Sequence, residues 1–149
     1  MILLVHLLFG AAIGHIIKNP LIAVVFAFLG HYFLDLFPHI EYPIGNIQNK
    51  QWRKSIPDFL KVTIDFLIGI TIIYFFSKNE PIVYVCAFFA ILPDGLTLLS
   101  FVFQNKLLKM QADFHRGKIH FLRDKKVSIF WRNFIQIAIA VISILLIKL

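Results

Sequence analysis

Gly30-His31-Tyr32-Phe33-Leu34-Asp35-Leu36-Phe37-Pro38-His39 sets two imidazoles and a carboxylate four residues apart inside, or at the end of, an apolar run. On one helix that spacing puts His31 and Asp35 on the same face, and Pro38 is expected to end the helix before His39 completes another turn. An ionisable group in a membrane segment costs a few kcal/mol, so its presence points to function. Neutral imidazole nitrogens with carboxylate oxygens are the donor set of catalytic zinc and of mixed multinuclear sites. The expected chemistry is therefore a metal or proton site. Other ionisable residues interrupt apolar runs as well: His6, Asp65 and Asp94, with Arg132 entering the last run. The polar connections add His39, His115, Arg116 and His120.

The elements that must position these groups are membrane helices. A chain of 149 residues with 59% hydrophobic residues, 17 phenylalanines and a mean hydropathy of +0.80 is too apolar for a soluble domain of its size. Its single cysteine, Cys86, can form no internal disulfide. The net charge of +7 collects in two connections flanking apolar runs, which suits anionic lipid head groups and argues against a nucleic-acid partner.

The expected fold is all-α: a single transmembrane domain of about five helices, with spans at 1–17, 21–37, 57–76, 81–103 and 127–147. Pro57 is a favourable first residue for the third helix. Leu92-Pro93-Asp94-Gly95 is expected to break the fourth, leaving Asp94 as a ligand or as the cap of its second half. Five spans put the amino terminus and the two long connections on one side. That side carries Lys50, Arg53, Lys54, Lys106, Lys109, Arg116, Lys118, Arg123, Lys125 and Lys126. The positive-inside rule makes it cytoplasmic and places the carboxy terminus outside.

At 1.5 Å per residue, His6 lies roughly 8 Å from the cytoplasmic end of its helix, His31 roughly 9 Å, Asp35 about 3 Å, Asp65 about 12 Å and Asp94 about 13 Å. They share one half of the membrane with the loop histidines, so one site could draw ligands from four helices and two connections. Plainer roles exist: Lys61 stands one turn before Asp65 and offers it an ion pair.

Three stretches resemble the inner-membrane proteins described as membrane-bound metal-dependent hydrolases, which are grouped with zinc phospholipase C-like proteins. Val5-His6-Leu7-Leu8-Phe9-Gly10-Ala11-Ala12-Ile13-Gly14 is similar to an early histidine followed by a small-residue helix. Leu92-Pro93-Asp94 resembles an L-P-D element, although the usual D-H is replaced by Gly95-Leu96. His115-Arg116-Gly117-Lys118-Ile119-His120 resembles an H-R-G-x-T-H element with isoleucine for threonine. The resemblance implies a metal role for His6, Asp94, His115 and His120, and a place in a prokaryotic cytoplasmic membrane. Taken with the depths, it leads to an integral membrane hydrolase holding one or two zinc-type ions and cleaving a phosphoester of a lipid or lipid-linked substrate. His6, His31, Asp35, Asp94 and His120 are the expected ligands. Asp65, His39 and His115 are the expected acid–base residues or further ligands, and Arg116 and Arg132 are expected to hold the phosphate. A divalent-metal or proton transporter, or a membrane scaffold with a structural metal, would use the same residues.

Overall fold

The computed structural model describes residues 1–43, 45–78, 80–103, 105–119 and 127–149. They form helices α1 (Leu3–Ile16), α2 (Pro20–Asp35), α3 (Gly45–Gln48), α4 (Trp52–Phe76), α5 (Pro81–Val102), α6 (Lys106–Phe114) and α7 (Ile129–Lys148), with a π-helical turn over His115–Ile119. The fold is all-α, as the composition requires. Helices α4, α5 and α7 are long and apolar enough to cross a membrane, whereas α1 and α2 are shorter apolar helices. Large apolar side chains such as Leu21, Phe33, Phe75, Phe88, Ile129 and Phe130 stand exposed on the outside of the bundle. An exterior of that kind is matched by lipid hydrocarbon.

Local chemistry sets the helix ends. Asn19 accepts from the Ile22 amide at 3.2 Å and Pro20 follows as the first residue of α2; Pro81 opens α5 in the same way. Asn105 caps α6 through the Leu107 and Leu108 amides, and Ser128 caps α7. Two expected boundaries are corrected. Helix α4 starts at Trp52, not at Pro57, because the Gln51 carbonyl takes the Ser55 amide and hydroxyl, each at 3.1 Å, and so closes a turn ahead of the proline. Helix α5 is not broken at Pro93-Asp94 but runs through both. Proline removes one amide donor, and side chains take up carbonyls nearby: His31 Nδ1 lies 2.7 Å from the Ala90 oxygen, while Thr97 Oγ and Gln111 Nε2 donate to the Pro93 oxygen at 3.0 and 3.1 Å. Asp94 is therefore no helix cap.

Helix α1 is the axis of the bundle and packs against α2, α4, α5 and α7. Val5, His6, Leu7, Leu8, Gly10, Ala11, Ala12 and Gly14 are all buried, as befits a helix apolar on every side. Small residues bring the backbones together. A Cβ on Gly10 would lie 2.5 Å from the Ala90 Cβ and 2.6 Å from the Cys86 carbonyl oxygen. Ala23, Ala27, Cys86 and Ala90 form the matching seam between α2 and α5. The start of α1 is held by its neighbours: the Ile2 amide donates to Gln136 Oε1 of α7 at 3.1 Å and the Leu4 amide to Asp65 Oδ2 of α4 at 2.8 Å.

A histidine and carboxylate cluster at the end of the bundle

Asp35, the last residue of α2, is the hub. It is fully buried and four imidazoles surround it. His31, one helical turn earlier, sets Nε2 3.2 Å from Oδ2. His115, at the start of the π-helical turn, sets Nε2 3.1 Å from the same oxygen. The two Nε2 atoms are 3.1 Å apart. Asp94 of α5 closes the group, with Oδ1 3.7 Å from His31 Nε2 and 4.0 Å from His115 Nε2. His31, Asp35, Asp94 and His115 each offer a ligand atom, and these atoms lie within 4.8 Å of one another.

The outer nitrogens fix the tautomers. The Ala90 carbonyl can only accept, so His31 carries its proton on Nδ1 and leaves Nε2 bare. Thr97 gives its hydroxyl proton to the Pro93 carbonyl, so Oγ accepts from His115 Nδ1 at 3.1 Å and that ring also turns a bare Nε2 inward. Burial pushes the His115 imidazole below the usual histidine range, against the opposing pull of Asp35. With both rings neutral, two imidazole lone pairs and two carboxylates thus converge. An Nδ1–H donated to a carbonyl or hydroxyl while Nε2 faces the site is how proteins orient metal-binding histidines. Ligands about 2.0 Å from a tetrahedral ion sit about 3.3 Å apart, close to the spacings of 3.1, 3.1 and 3.2 Å among His31, His115 and Asp35.

A cavity of about 110 Å³ opens beside the cluster, room for about four waters. Asp94, whose side chain is 31% exposed, stands in its wall with His115 and Arg116. Phe59, Val62 and Leu98 form an apolar side. The Arg116 guanidinium lies over the Phe101 ring at 5.4 Å, and its buried Nε has no hydrogen-bond partner among the described residues.

The structure therefore joins His6, His31, Asp35, His39, Asp94 and His115, with Arg116 at the cavity. His6 Nε2 is 3.2 Å and His39 Nε2 3.6 Å from Asp35 Oδ1, an oxygen that the Met1 nitrogen also approaches at 2.5 Å. Asp65 is employed elsewhere, accepting from the Leu4 amide and from the Tyr42 hydroxyl. Burial and that bond push the Tyr42 phenol above its ordinary range, which keeps it a donor. Lys61 pairs with Asp58 at 3.5 Å, not with Asp65. Arg132 lines a second hollow with His39 and Glu41, of which Glu41 also borders the first cavity. His120 lies outside the described residues. Sequence reasoning missed Glu41, Thr97 and Gln111; Thr97, one turn beyond Pro93, was the detectable one, since a hydroxyl there can serve the proline-disturbed turn. No known protein family, curated protein or solved structure matches the chain.

Proposed function

We propose that this chain is a membrane-embedded metal-dependent hydrolase. His31, Asp35, Asp94 and His115 hold a divalent cation, zinc being the ion their donors suit, and the substrate is a phosphoester of a lipid or lipid-linked molecule. One observation carries this: His31 and His115 commit their Nδ1 protons to Ala90 and Thr97 and aim bare Nε2 atoms, 3.1 Å apart, at a buried carboxylate. Acceptors packed so closely repel one another unless a proton or a cation lies among them, and a divalent cation would satisfy all of them at once.

The half-apolar cavity supports a lipid-like substrate, with the anionic group toward Arg116 and the apolar portion along Phe59, Val62 and Leu98. A bound divalent cation would supply Lewis-acid polarisation of the phosphoryl oxygen and a water of lowered pKa. Asp94, the ligand exposed to the cavity at the edge of the cluster, would present the cation to that space. The excess of lysine and arginine in the long connections supports a cytoplasmic amino-terminal side, and with it a cytoplasmic-leaflet site.

The test is metal content and turnover on one preparation. Protein purified in detergent and reloaded with zinc is expected to hold at least one equivalent and to release phosphate or head group from anionic phospholipid micelles, with both lost in His115→Ala. Less than one equivalent refutes the metal site. Full occupancy without turnover on any lipid phosphoester leaves a structural metal as the cluster's role.

A further inference from the structure

The two oxygens of Asp35 face different sets of ligands. Oδ2 serves His31 and His115, as described. Oδ1 is turned toward His6 Nε2 at 3.2 Å and His39 Nε2 at 3.6 Å. His39 Nδ1 donates to the Phe37 carbonyl at 2.6 Å, which turns Nε2 toward the site, where it meets Glu41 Oε1 at 3.2 Å. His6 is fully buried, and neither of its ring nitrogens has a hydrogen-bond partner among the described residues. A buried polar atom left without a partner destabilises the fold unless something binds it. The His6 ring stacks on His31 with centroids 4.1 Å apart and planes inclined by 25°, so the two imidazoles each present Nε2 to a different oxygen of one carboxylate.

Resting on the metal site proposed above, we infer that Asp35 is a bridging carboxylate and that a second divalent cation binds on its Oδ1 side, held by His6 Nε2, His39 Nε2 and Glu41 Oε1. The spacings of 3.2 Å from His6 to Asp35 and 3.2 Å from His39 to Glu41 fall near the edge of about 3.3 Å expected around a tetrahedral ion. Glu41 also lines the cavity that holds Asp94 and Arg116, so the second ion borders the same space as the first. The Met1 nitrogen, 2.5 Å from Oδ1, is a contact the second cation displaces. Ions about 3.5–4 Å apart across a shared carboxylate hold both the attacking and the leaving oxygens of a phosphoryl substrate. Such a pair suits the phosphoester class proposed above.

The experiment is a zinc titration of the EDTA-stripped full chain in detergent, with bound metal measured by mass spectrometry after desalting. Two equivalents are expected for the wild type and one for His6→Ala. His39→Ala and Glu41→Gln, which lie in a connection and not in the central helix, are expected to lose the same equivalent and guard against a His6 variant that fails to fold. Loading with Mn²⁺ is expected to give an exchange-coupled spin-resonance spectrum in the wild type and an isolated-ion spectrum in His39→Ala. One equivalent in the wild type, unchanged in His6→Ala and His39→Ala, overturns the second site and leaves the first standing. Two equivalents in all three proteins overturn the ligand assignment. No zinc in any of them removes the first site as well.

Discussion

Replacing His31 by alanine separates a metal site from a hydrogen-bonded polar core. The imidazole does two things: Nδ1 satisfies the buried Ala90 carbonyl at 2.7 Å, and Nε2 supplies one corner of the triangle with His115 and Asp35. Losing the first leaves a carbonyl without its side-chain partner and costs about 1–3 kcal/mol whether or not metal is present. For a chain of this size that lowers the metal-free Tm by roughly 2–12 °C. Losing the second acts only through metal. Zinc at about a thousandfold above Kd stabilises the wild type by about 4 kcal/mol, a rise in Tm of roughly 8–16 °C. Outer-sphere partners are worth about 10–100-fold in affinity, so loss of a direct ligand is set at about a thousandfold. The same zinc concentration then gives the variant only about 0.4 kcal/mol, a rise of about 1–2 °C. The assay is thermal unfolding of both proteins in one detergent, each with EDTA and with zinc. The difference between the two zinc-induced rises isolates the ligand role, because the carbonyl contribution cancels. Equal rises in wild type and His31→Ala would refute a ligand role for His31. No rise in either would refute the metal site.

Thr97→Val removes the acceptor for His115 Nδ1 while nearly preserving shape, and zinc affinity measured against a competing chelator is expected to fall about 10–100-fold. Unchanged affinity would mean that His115 is not a ligand. Tyr42→Phe deletes the hydroxyl bonded to Asp65 and is expected to cost about 1.5–3 kcal/mol with zinc stoichiometry intact; lost zinc would put Asp65 in the site. Two glycines give opposite signs. Gly10→Ala drives a methyl into the Cys86 carbonyl and is expected to destabilise by about 1–3 kcal/mol. Gly95→Ala, with open space around its Cβ inside α5, is expected to stabilise by about 0.5–1 kcal/mol. Matching signs in thermal unfolding would refute the close approach of α1 and α5.

What the sequence revealed follows from how local each signal is. The pairing of His31 with Asp35 needs only the helical period, and both side chains meet the same site. The openings of α2 and α5 are written in Asn19-Pro20 and in Pro81. Depth along each helix brought Asp94 and His6 to the right level, because rise per residue is nearly constant. Depth says nothing of rotation about the axis. Asp65 was placed at much the same depth as Asp94, but it supports the start of α1. Continuity through Pro93 also escaped a local reading: carbonyls of that turn are met by His31 and Gln111, at sequence separations of 59 and 18. Glu41 was unremarkable in a polar connection until His39 turned toward it.

Those same contacts tie the histidine and carboxylate cluster to the assembly of the bundle. His31 reaches the proline turn of α5 because Ala23, Ala27, Cys86 and Ala90 let α2 and α5 approach closely, and Gly10 and Gly14 bring α1 equally close to that same stretch of α5. The contacts from His31 to α5 and from His6 to Asp35 therefore cross helix interfaces with little bulk to hold the helices apart, and lipid provides no hydrophobic drive for such helices to associate. The hydrogen bond from His31 to Ala90 sets the rotation of α2 against α5, while those from Gln111 to Pro93 and from His115 to Thr97 set α6 and the π-helical turn against α5. A cation drawing His31, His115, Asp35 and Asp94 together stabilises the same interfaces. Metal affinity and helix packing are then one linked equilibrium, so a packing defect at Gly10, remote from every ligand atom, should weaken zinc binding as well as the fold.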